Sequence, residues 1–587
     1  PDIVYANCKG RFGRYNKRTG QEKQYYVGAQ YIYGHNPKDL KYRFQRVSPI
    51  HVSPHDPDVV YFASQYLHRT TDEGVNWETI SPDLTAFEPS KQVISGTPLT
   101  RDITGEEFYS TIYAVQESPL EKGVIWVGAN DGPVHVTRDN GKTWSEVTPS
   151  DLPPGGRVQT IEASPHRPGK AYAAVYRYLL DDWEPYVYKT EDYGDSWTRL
   201  TNGENGIPID HPTRVVREDP NKEGLLYAGT EFGMFISFDD GENWQSFRHN
   251  LPATPVTDIK IHHKDLVLST MGRSFWILDD LTPLYQWDES AGQSTSLLFK
   301  PRYAYRLHYW SWRRSSADPE YKPVGAFIHY YLAEEVSRDI KLEIMDGQGN
   351  VIRTFVGQKE KPEQKTLDPD SWDTSGLHLE KKGEPRLRQS QGAHRFLWDL
   401  RHVGAWQPAP QGTGRRGFGG GGPMVAVGTY QAKLTIGEWN QTQEFEVKLD
   451  PRVVKDGVTP DSIREQKKLS LEIRDTLSLA RLAAYRVEQS LQKLTDIRQK
   501  DDTQRKQAQE LEEMLLQIKR KLVTRDDISY PQPMLIDQIQ YLYSMLNRAD
   551  QKPGKDAYER HEELQSQLKE LISEIKIVLL ELEKLNI

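Results

Sequence analysis

Hydrophobic positions fall into three regimes along the chain. Up to about residue 285, short apolar or β-branched runs such as Val59–Ala63, Val124–Gly128 and Leu225–Gly229 alternate with turn residues. Strands bounded by turn signals at intervals of about 8–12 residues predict an all-β architecture. From about 295 to 452, apolar and charged residues alternate, as in Ile340-Lys341-Leu342-Glu343-Ile344 and Phe445-Glu446-Val447-Lys448-Leu449. That period of two predicts strands with one dry and one wet face, and Asp346–Asn350 reads as a hairpin turn between two of them. Beyond Thr459 the period becomes helical. Thr459 can cap, Pro460 suits the first helical position, and Leu469, Ile473, Leu477, Ala480, Ala484, Val487, Leu491 and Leu494 share one face. The last helix repeats this with Leu564, Leu568, Leu571, Ile575, Val578, Leu582 and Leu585, and shorter amphipathic segments lie near 503–523 and 533–549. A helical bundle with an intramolecular core is expected, in preference to a coiled-coil dimer.

Within the first regime one turn recurs. Thr70–Trp77, Thr137–Trp144, Thr190–Trp197 and Ser237–Trp244 all read Ser/Thr-x-Asp-x-Gly-x-Asn/Thr/Ser-Trp, and their glycines lie 67, 53 and 47 residues apart. That repeat is close to one four-stranded propeller blade. The aspartates Asp72, Asp139, Asp192 and Asp239 can accept from amides of their own turn. Gly74, Gly141, Gly194 and Gly241 supply a positive φ, and Trp77, Trp144, Trp197 and Trp244 are large enough to pack between neighbouring blades. These are structural roles. An early blade around Gly10–Gly20 and a final one ending near Asp280 lack the full motif, giving about six blades, with a seventh strand set expected from residues upstream.

The repeated turn resembles the Asp-box, or BNR, repeat of sialidases, tandem-propeller xyloglucanases and sortilin-type domains. Gly128–Thr137, Gly229–Gly233 and Leu266–Asp280 further resemble large bacterial exported proteins labelled glycosyl hydrolase or sortilin N-terminal domain-containing. The resemblance implies an exported protein, periplasmic or at the cell surface, with a second propeller N-terminal to this chain. In that group Leu266–Asp280 carries Thr-His-Gly-Arg, whereas Met271 replaces the His here. The opening Pro1–Asn7, which enters a strand at once, reads as the start of a fragment. The expected organisation is a propeller over 1–285, an Ig-like β-sandwich over 286–452 with a Gly-rich loop at 411–422, and a helical bundle over 453–587.

Composition narrows the function. With 75 Lys and Arg against 84 Asp and Glu, the net charge is −9, which argues against a dedicated nucleic-acid binder. No apolar run has the length of a transmembrane segment. A single cysteine, Cys8, excludes an intrachain disulfide and a cysteine-based metal cage. His262 and His263, being adjacent, are expected on opposite faces of a strand, and neither they nor His51 and His55 suggest a metal site. No cofactor is implied.

A propeller binds at the mouth of its channel. The candidates there are Arg157 and Arg214 on loops entering inner strands, and Asp131, Glu231 and Arg273 after second strands, with the insert Tyr176–Trp183 overhanging. Glycoside hydrolysis needs two carboxylates about 5–9.5 Å apart, for which Asp131 and Glu231 are the candidates. The alternative for both is support of glycine-tight turns. Tyr303, Tyr305, Tyr309, Trp310 and Trp312 are sugar-stacking candidates or, by their alternation, packing residues. The expected function is a scaffold or binding module for a protein or glycan partner, possibly its own N-terminal propeller or a larger assembly. The alternative is a glycoside hydrolase whose cleft the missing propeller completes.

Overall fold

The computed structural model describes residues 2–584 apart from 97–99, 106–107, 289–291, 293, 309–317, 319, 359–370, 375–384, 409–420, 499–504 and 526. The chain divides into two compact units, Pro1–Leu281 and Thr282–Ile587.

The first unit is a β-propeller of six antiparallel sheets. Sheet one holds β1 (Ile3–Cys8), β2 (Arg11–Asn16) and β3 (Gln21–Tyr26). Sheet two holds β4 (Ile50–Val52), β5 (Val60–Ala63), β6 (Leu67–Thr70) and β7 (Glu78–Thr79). Sheet three comprises β8 (Ile112–Glu117), β9 (Ile125–Ala129), β10 (Val134–Thr137) and β11 (Ser145–Glu146). Sheet four comprises β12 (Arg157–Ala163), β13 (Ala171–Tyr176), β14 (Tyr186–Thr190) and β15 (Thr198–Arg199). Sheet five is β16 (Thr213–Glu218), β17 (Leu226–Thr230), β18 (Gly233–Ser237) and β19 (Gln245–Ser246), and sheet six is β20 (Val256–His262), β21 (Asp265–Thr270) and β22 (Phe275–Leu278). Inner strands β4, β8, β12, β16 and β20 run side by side, so successive sheets bury their faces against one another. β5, β9, β13 and β17 are buried at every residue, which explains why their sequences are apolar without alternation.

The recurring turn fastens each sheet to the one before it. Asp139 Oδ1 accepts from Thr137 Oγ1 at 2.9 Å and from Thr143 N at 2.9 Å, and Oδ2 accepts from Thr143 Oγ1 at 2.6 Å. Asp72, Asp192 and Asp239 make the same set with their own neighbours. Gly141 has φ +90°, and a Cβ there would lie 2.7 Å from the Ile80 carbonyl of the preceding sheet. Trp144 Nε1 donates to that same carbonyl at 3.0 Å, Trp197 Nε1 to Val147 O at 2.6 Å and Trp244 Nε1 to Leu200 O at 3.1 Å. Trp77 instead meets Phe12 edge-on at 5.0 Å, with no acceptor for its Nε1. On the inner side, His55 and His166 bond across to the carbonyls of Ser118 and Asp219 in the following sheet, at 2.8 and 2.7 Å.

The second unit starts with a short helix, α1 (Thr282–Gln286). It contains a β-sandwich of a three-stranded sheet, β23 (Ser296–Leu298), β25 (Ala326–Leu332) and β28 (Gly392–Trp398), and a five-stranded one. The latter runs β24 (Ala304–Arg306), β30 (Trp439–Leu449), β29 (Gly428–Ile436), β26 (Ile340–Asp346) and β27 (Val351–Val356), with β24 parallel to β30. Inward residues Ile340, Leu342, Ile344, Phe396, Trp398, Phe445 and Val447 form one core. A short α2 (Pro451–Lys455) leads into α3 (Pro460–Arg498), α4 (Arg505–Leu522), α5 (Leu535–Leu546) and α6 (Lys555–Lys584). Thr459 Oγ1 accepts from Ser462 N at 3.2 Å, capping α3. The four long helices share a core that includes Leu469, Ile473, Leu477, Ala480, Val487, Leu494, Leu564, Leu568 and Ile575, while Ala484 and Leu491 are partly buried. Leu585 lies outside the described residues.

Sandwich and bundle are joined by a buried ion cluster. Arg306 Nη2 donates to Asp550 Oδ1 at 2.6 Å, and His308 Nε2 lies 2.9 Å from the same oxygen. Burial alone would raise the Asp550 carboxyl, but hydrogen bonds from His308 and Arg306 and the Arg306 charge outweigh it and hold it at about 2.

Candidate functional site

Two of the predicted mouth residues meet. Arg214 donates from Nε to Glu231 Oε1, and its Nη2 donates to Tyr176 Oη at 2.8 Å. Tyr176 Oη in turn donates to Glu231 Oε1 at 2.6 Å, and the Arg214 guanidinium lies 4.3 Å from the Tyr176 ring centre. Burial and the Glu231 hydrogen bond push the Tyr176 phenol up. The hairpin registers place Tyr176 and Glu231 at matching positions, each one residue beyond the second-strand residues Val175 and Thr230. The side chains of Arg214 and Glu231 are only 9% and 15% exposed, so the pair is a closed unit that already satisfies its own charge.

Arg157 and Arg214 do not sit on entering loops. Arg157 is the first residue of β12, paired with Tyr176 just beyond a register slip between Val158 and Thr160, and Arg214 lies within β16 at the slip between Thr213 and Val215. These bulges let the strand continue past the point where pairing is expected to stop. The Arg157 guanidinium lies 4.5 Å from the Tyr113 ring centre in the preceding sheet.

Asp131 follows β9 and is 3% exposed. Its Oδ2 accepts from Ala86 N at 3.0 Å and Phe87 N at 3.3 Å, tying the end of sheet three to a loop of sheet two. Oδ1 has no hydrogen-bond partner. Burial raises the Asp131 carboxyl from its ordinary value, against the pull of the two amides. Asp131 and Glu231 are therefore bound into different contacts: one into backbone amides, the other into an arginine–tyrosine pair.

The insert after Tyr176 links the two. Arg177 donates from Nη1 to the carbonyls of Pro153, Pro154 and Gly155 at 2.7–2.9 Å and from Nε to Asp182 at 2.7 Å. A Cβ at Gly132, beside Asp131, would meet Gly155 backbone at 3.4 Å. Tyr178 packs on Tyr176 at 4.4 Å and on Trp183 at 5.9 Å. This arrangement leaves Leu179, Leu180 and Trp183 exposed. Phe232, directly after Glu231, is also exposed and packs on His211 at 4.7 Å. Sequence reasoning named the insert but missed Tyr176 as a partner of Glu231. Aligning the ends of the second strands, Asn130, Tyr176, Glu231 and Met271, would have found it.

Arg273 and Met271 are exposed on the β21–β22 turn, where the Arg273 carbonyl accepts from Trp276 Nε1 at 2.9 Å. His262 and His263 do not point apart: their rings are 4.1 Å from each other, because His263 leaves the strand with φ +49°. Among the described residues no group of three His, Cys, Asp or Glu is placed to hold a metal. Tyr303 and Tyr305 pack together at 5.3 Å, whereas Tyr309, Trp310 and Trp312 lie outside the described residues. Of the Gly-rich loop only Gly421 and Gly422 are described, and their carbonyls accept from Tyr543 Oη and Arg401 Nη1. No helix among the described residues is long and apolar enough to cross a membrane.

No protein-family model matches the chain. Over 117 residues it is 29% identical to the oligoxyloglucan-reducing end-specific xyloglucanase of Emericella nidulans, which covers 18% of this chain and 13% of that protein. Among solved structures it is similar to the GH74 xyloglucanase from Xanthomonas campestris, with 16% identity, 48% of this chain, 43% of that one and a TM-score of 0.35. It is also similar to YCF48 from Cyanidioschyzon merolae, with 11% identity over 47% of this chain and 79% of that one and a TM-score of 0.33. The chain thus spans less than half the length of either xyloglucanase that it matches.

Proposed function

We propose that this chain is an exported propeller binding module whose channel mouth recognises a protein or glycan partner. The observation that carries this reading is the pairing of Arg214, Tyr176 and Glu231. Arg214, Tyr176 and Glu231 satisfy one another, while Trp183, Leu179, Leu180 and Phe232 stay exposed beside them. Closed polar contacts framing exposed aromatic and aliphatic side chains suit recognition, in which a few desolvated anchors dominate affinity. A general acid and its partner carboxylate need instead to face an open cleft. Screening the protein against immobilised glycans and peptides tests the reading: Trp183→Ala should weaken retained binding at least tenfold, and a ligand indifferent to Trp183 and Phe232 would refute it.

One observation favours hydrolysis as the second reading. Asp131 combines a raised pKa with an oxygen that lacks a hydrogen-bond partner, the condition of a carboxylic acid able to donate a proton. The local identity to a xyloglucanase agrees with that chemistry. Release of reducing sugar from xyloglucan that disappears in Asp131→Asn and in Glu231→Gln would establish this reading in place of the first.

A further inference from the structure

Helix α5 is apolar on two adjacent faces. Leu535, Ile539, Tyr543 and Leu546 turn into the bundle core. Beside them runs a second stripe, in which Tyr541, Leu542 and Met545 follow Gln538 at i+3, i+4 and i+7. A helix with two apolar faces needs a partner for each. For the second face α6 offers only the small Ala557, and Tyr541 is left 66% exposed and Met545 47% exposed. With Pro531 and Pro533 of the preceding segment, these residues line a groove of about 980 Å³ that lies wholly within Thr282–Ile587.

The walls of the groove are tied in place. Met534 N donates to Thr524 Oγ1 at 2.8 Å, and Gln538 Nε2 donates to Pro533 O at 2.8 Å. Arg560 Nη2 donates to Gln538 Oε1 at 2.6 Å, which joins α6 to α5 at one end. Walls fixed beforehand lower the ordering cost of binding. The rim carries charge of one sign. Arg560 is already neutralised by Glu563 at 2.7 Å, and Lys555 by Glu559 at 2.9 Å. Asp537 and Asp556 are exposed at the rim and have no ion pair among the described residues. Asp537 adjoins Gln538 at the tied end, and Asp556, one turn before Arg560, lies toward the other. Each acid sits in the first turn of its helix, where the helix dipole favours it. The dipole accounts for each acid singly, but not for the apolar surface left open between them.

We propose that this groove receives an amphipathic helix of a partner protein, apolar on the face that enters and carrying Lys or Arg at both ends of that face. From Gln538 to Met545 is seven residues, about 10.5 Å at the helical rise. Two turns of an apposed helix cover that length and present anchors at i, i+3, i+4 and i+7. Tyr541 offers a large ring to such anchors, and the unbranched thioether of Met545 adapts to their shape. Basic residues at the two ends meet Asp537 and Asp556, which selects a basic helix over an acidic one.

The probe is a labelled synthetic helix of about 14 residues, four turns, with leucine on one face and lysine on the other. Added to the full chain at physiological salt, it should give saturable fluorescence anisotropy and slow hydrogen exchange across Leu535–Leu546. Tyr541→Ala combined with Met545→Ala should weaken binding about tenfold. Asp537→Lys combined with Asp556→Lys should weaken it at least as much, and should admit the same helix with glutamate in place of lysine. Glu510→Lys combined with Glu570→Lys makes an equal change of charge elsewhere on the bundle and should leave binding as it was. All six side chains are exposed, so each variant should keep the thermal midpoint of the wild type. Absence of saturable binding, equal losses from the two charge pairs, or indifference to Tyr541 and Met545 would each overturn the proposal. So would light scattering that shows a dimer abolished by Tyr541→Ala with Met545→Ala, since the occupant would then be a second copy.

Discussion

Asp139 and Asp131 are eight residues apart and do opposite things. Asp139 lies on a solvent-facing turn, where hydrogen bonds from Thr143 and Thr137 hold its carboxyl at about 2. Asp131 is buried, and its surroundings push its carboxyl up. The turn acid closes on its own octapeptide, while Asp131 reaches another sheet. The same contrast separates Asp72 from Glu231, whose carboxylate is held by Arg214 and Tyr176, distant in sequence. A carboxylate that satisfies itself locally is portable and can recur in every blade. One that depends on a neighbouring sheet is tied to a single place, which is why Asp131 and Glu231 have no repeat.

The largest expected effect separates these classes by deletion. Arg214→Ala leaves Glu231 buried without its cation and should cost about 3 kcal/mol in urea unfolding, the usual scale for breaking a buried pair. Replacing both partners, Arg214→Met with Glu231→Leu, should recover most of that loss. A single-variant loss below about 1 kcal/mol would place the pair with ordinary surface ion pairs.

On the turn side, Gly141→Ala should cost about 2–3 kcal/mol, combining strain at φ +90° with a clash against the Ile80 carbonyl. Gly272→Ala provides the comparison. Its φ is +87° but nothing lies within 4 Å of the added Cβ, so only strain of about 1 kcal/mol should appear. Equal losses would mean that the approach of sheet to sheet at Gly141 is not what selects glycine.

A smaller difference distinguishes the four tryptophans. Trp244→Phe removes the bond to Leu200 O and should cost about 1 kcal/mol more than Trp77→Phe, because Trp77 Nε1 has no acceptor to lose. Thermal unfolding of the two variants side by side measures this.

Fold and site were legible in the sequence to different depths for the same reason. The propeller turns were readable because Thr137, Asp139, Gly141 and Thr143 complete their chemistry within one short segment. Helices α3 and α6 were readable because one face repeats over many turns. Arg214 was assigned to a loop because a bulge adds a residue without any local signal in the sequence, and Arg157 because it is the strand's first residue. The contact of Arg214 with Tyr176 spans 38 residues and that of Arg306 with Asp550 spans 244, so neither leaves a spacing to read. The His262–His263 geometry failed similarly: alternation predicts opposite faces only while the strand continues, and here it ends.

The smallest expected effect is one of sign. Asp139 has its folded pKa depressed to about 2, so its contribution to stability is present above its unfolded value near 4 and is lost as pH falls through the folded one. Asp131 has its folded pKa raised by burial, so its contribution is present below the ordinary carboxylate range and is lost as pH rises through the raised value. Urea midpoints followed from about pH 7 to about pH 3 should therefore diverge in opposite directions for two conservative variants. Relative to wild type, Asp139→Asn should be least stable near neutrality and recover toward the acid end. Asp131→Asn keeps an acceptor for Ala86 and Phe87 and should gain on wild type near neutrality, where the buried carboxylate of wild type must ionise, and lose that advantage on acidification. Parallel pH profiles would mean that burial does not set the Asp131 proton affinity, which would also remove its candidacy as a proton donor.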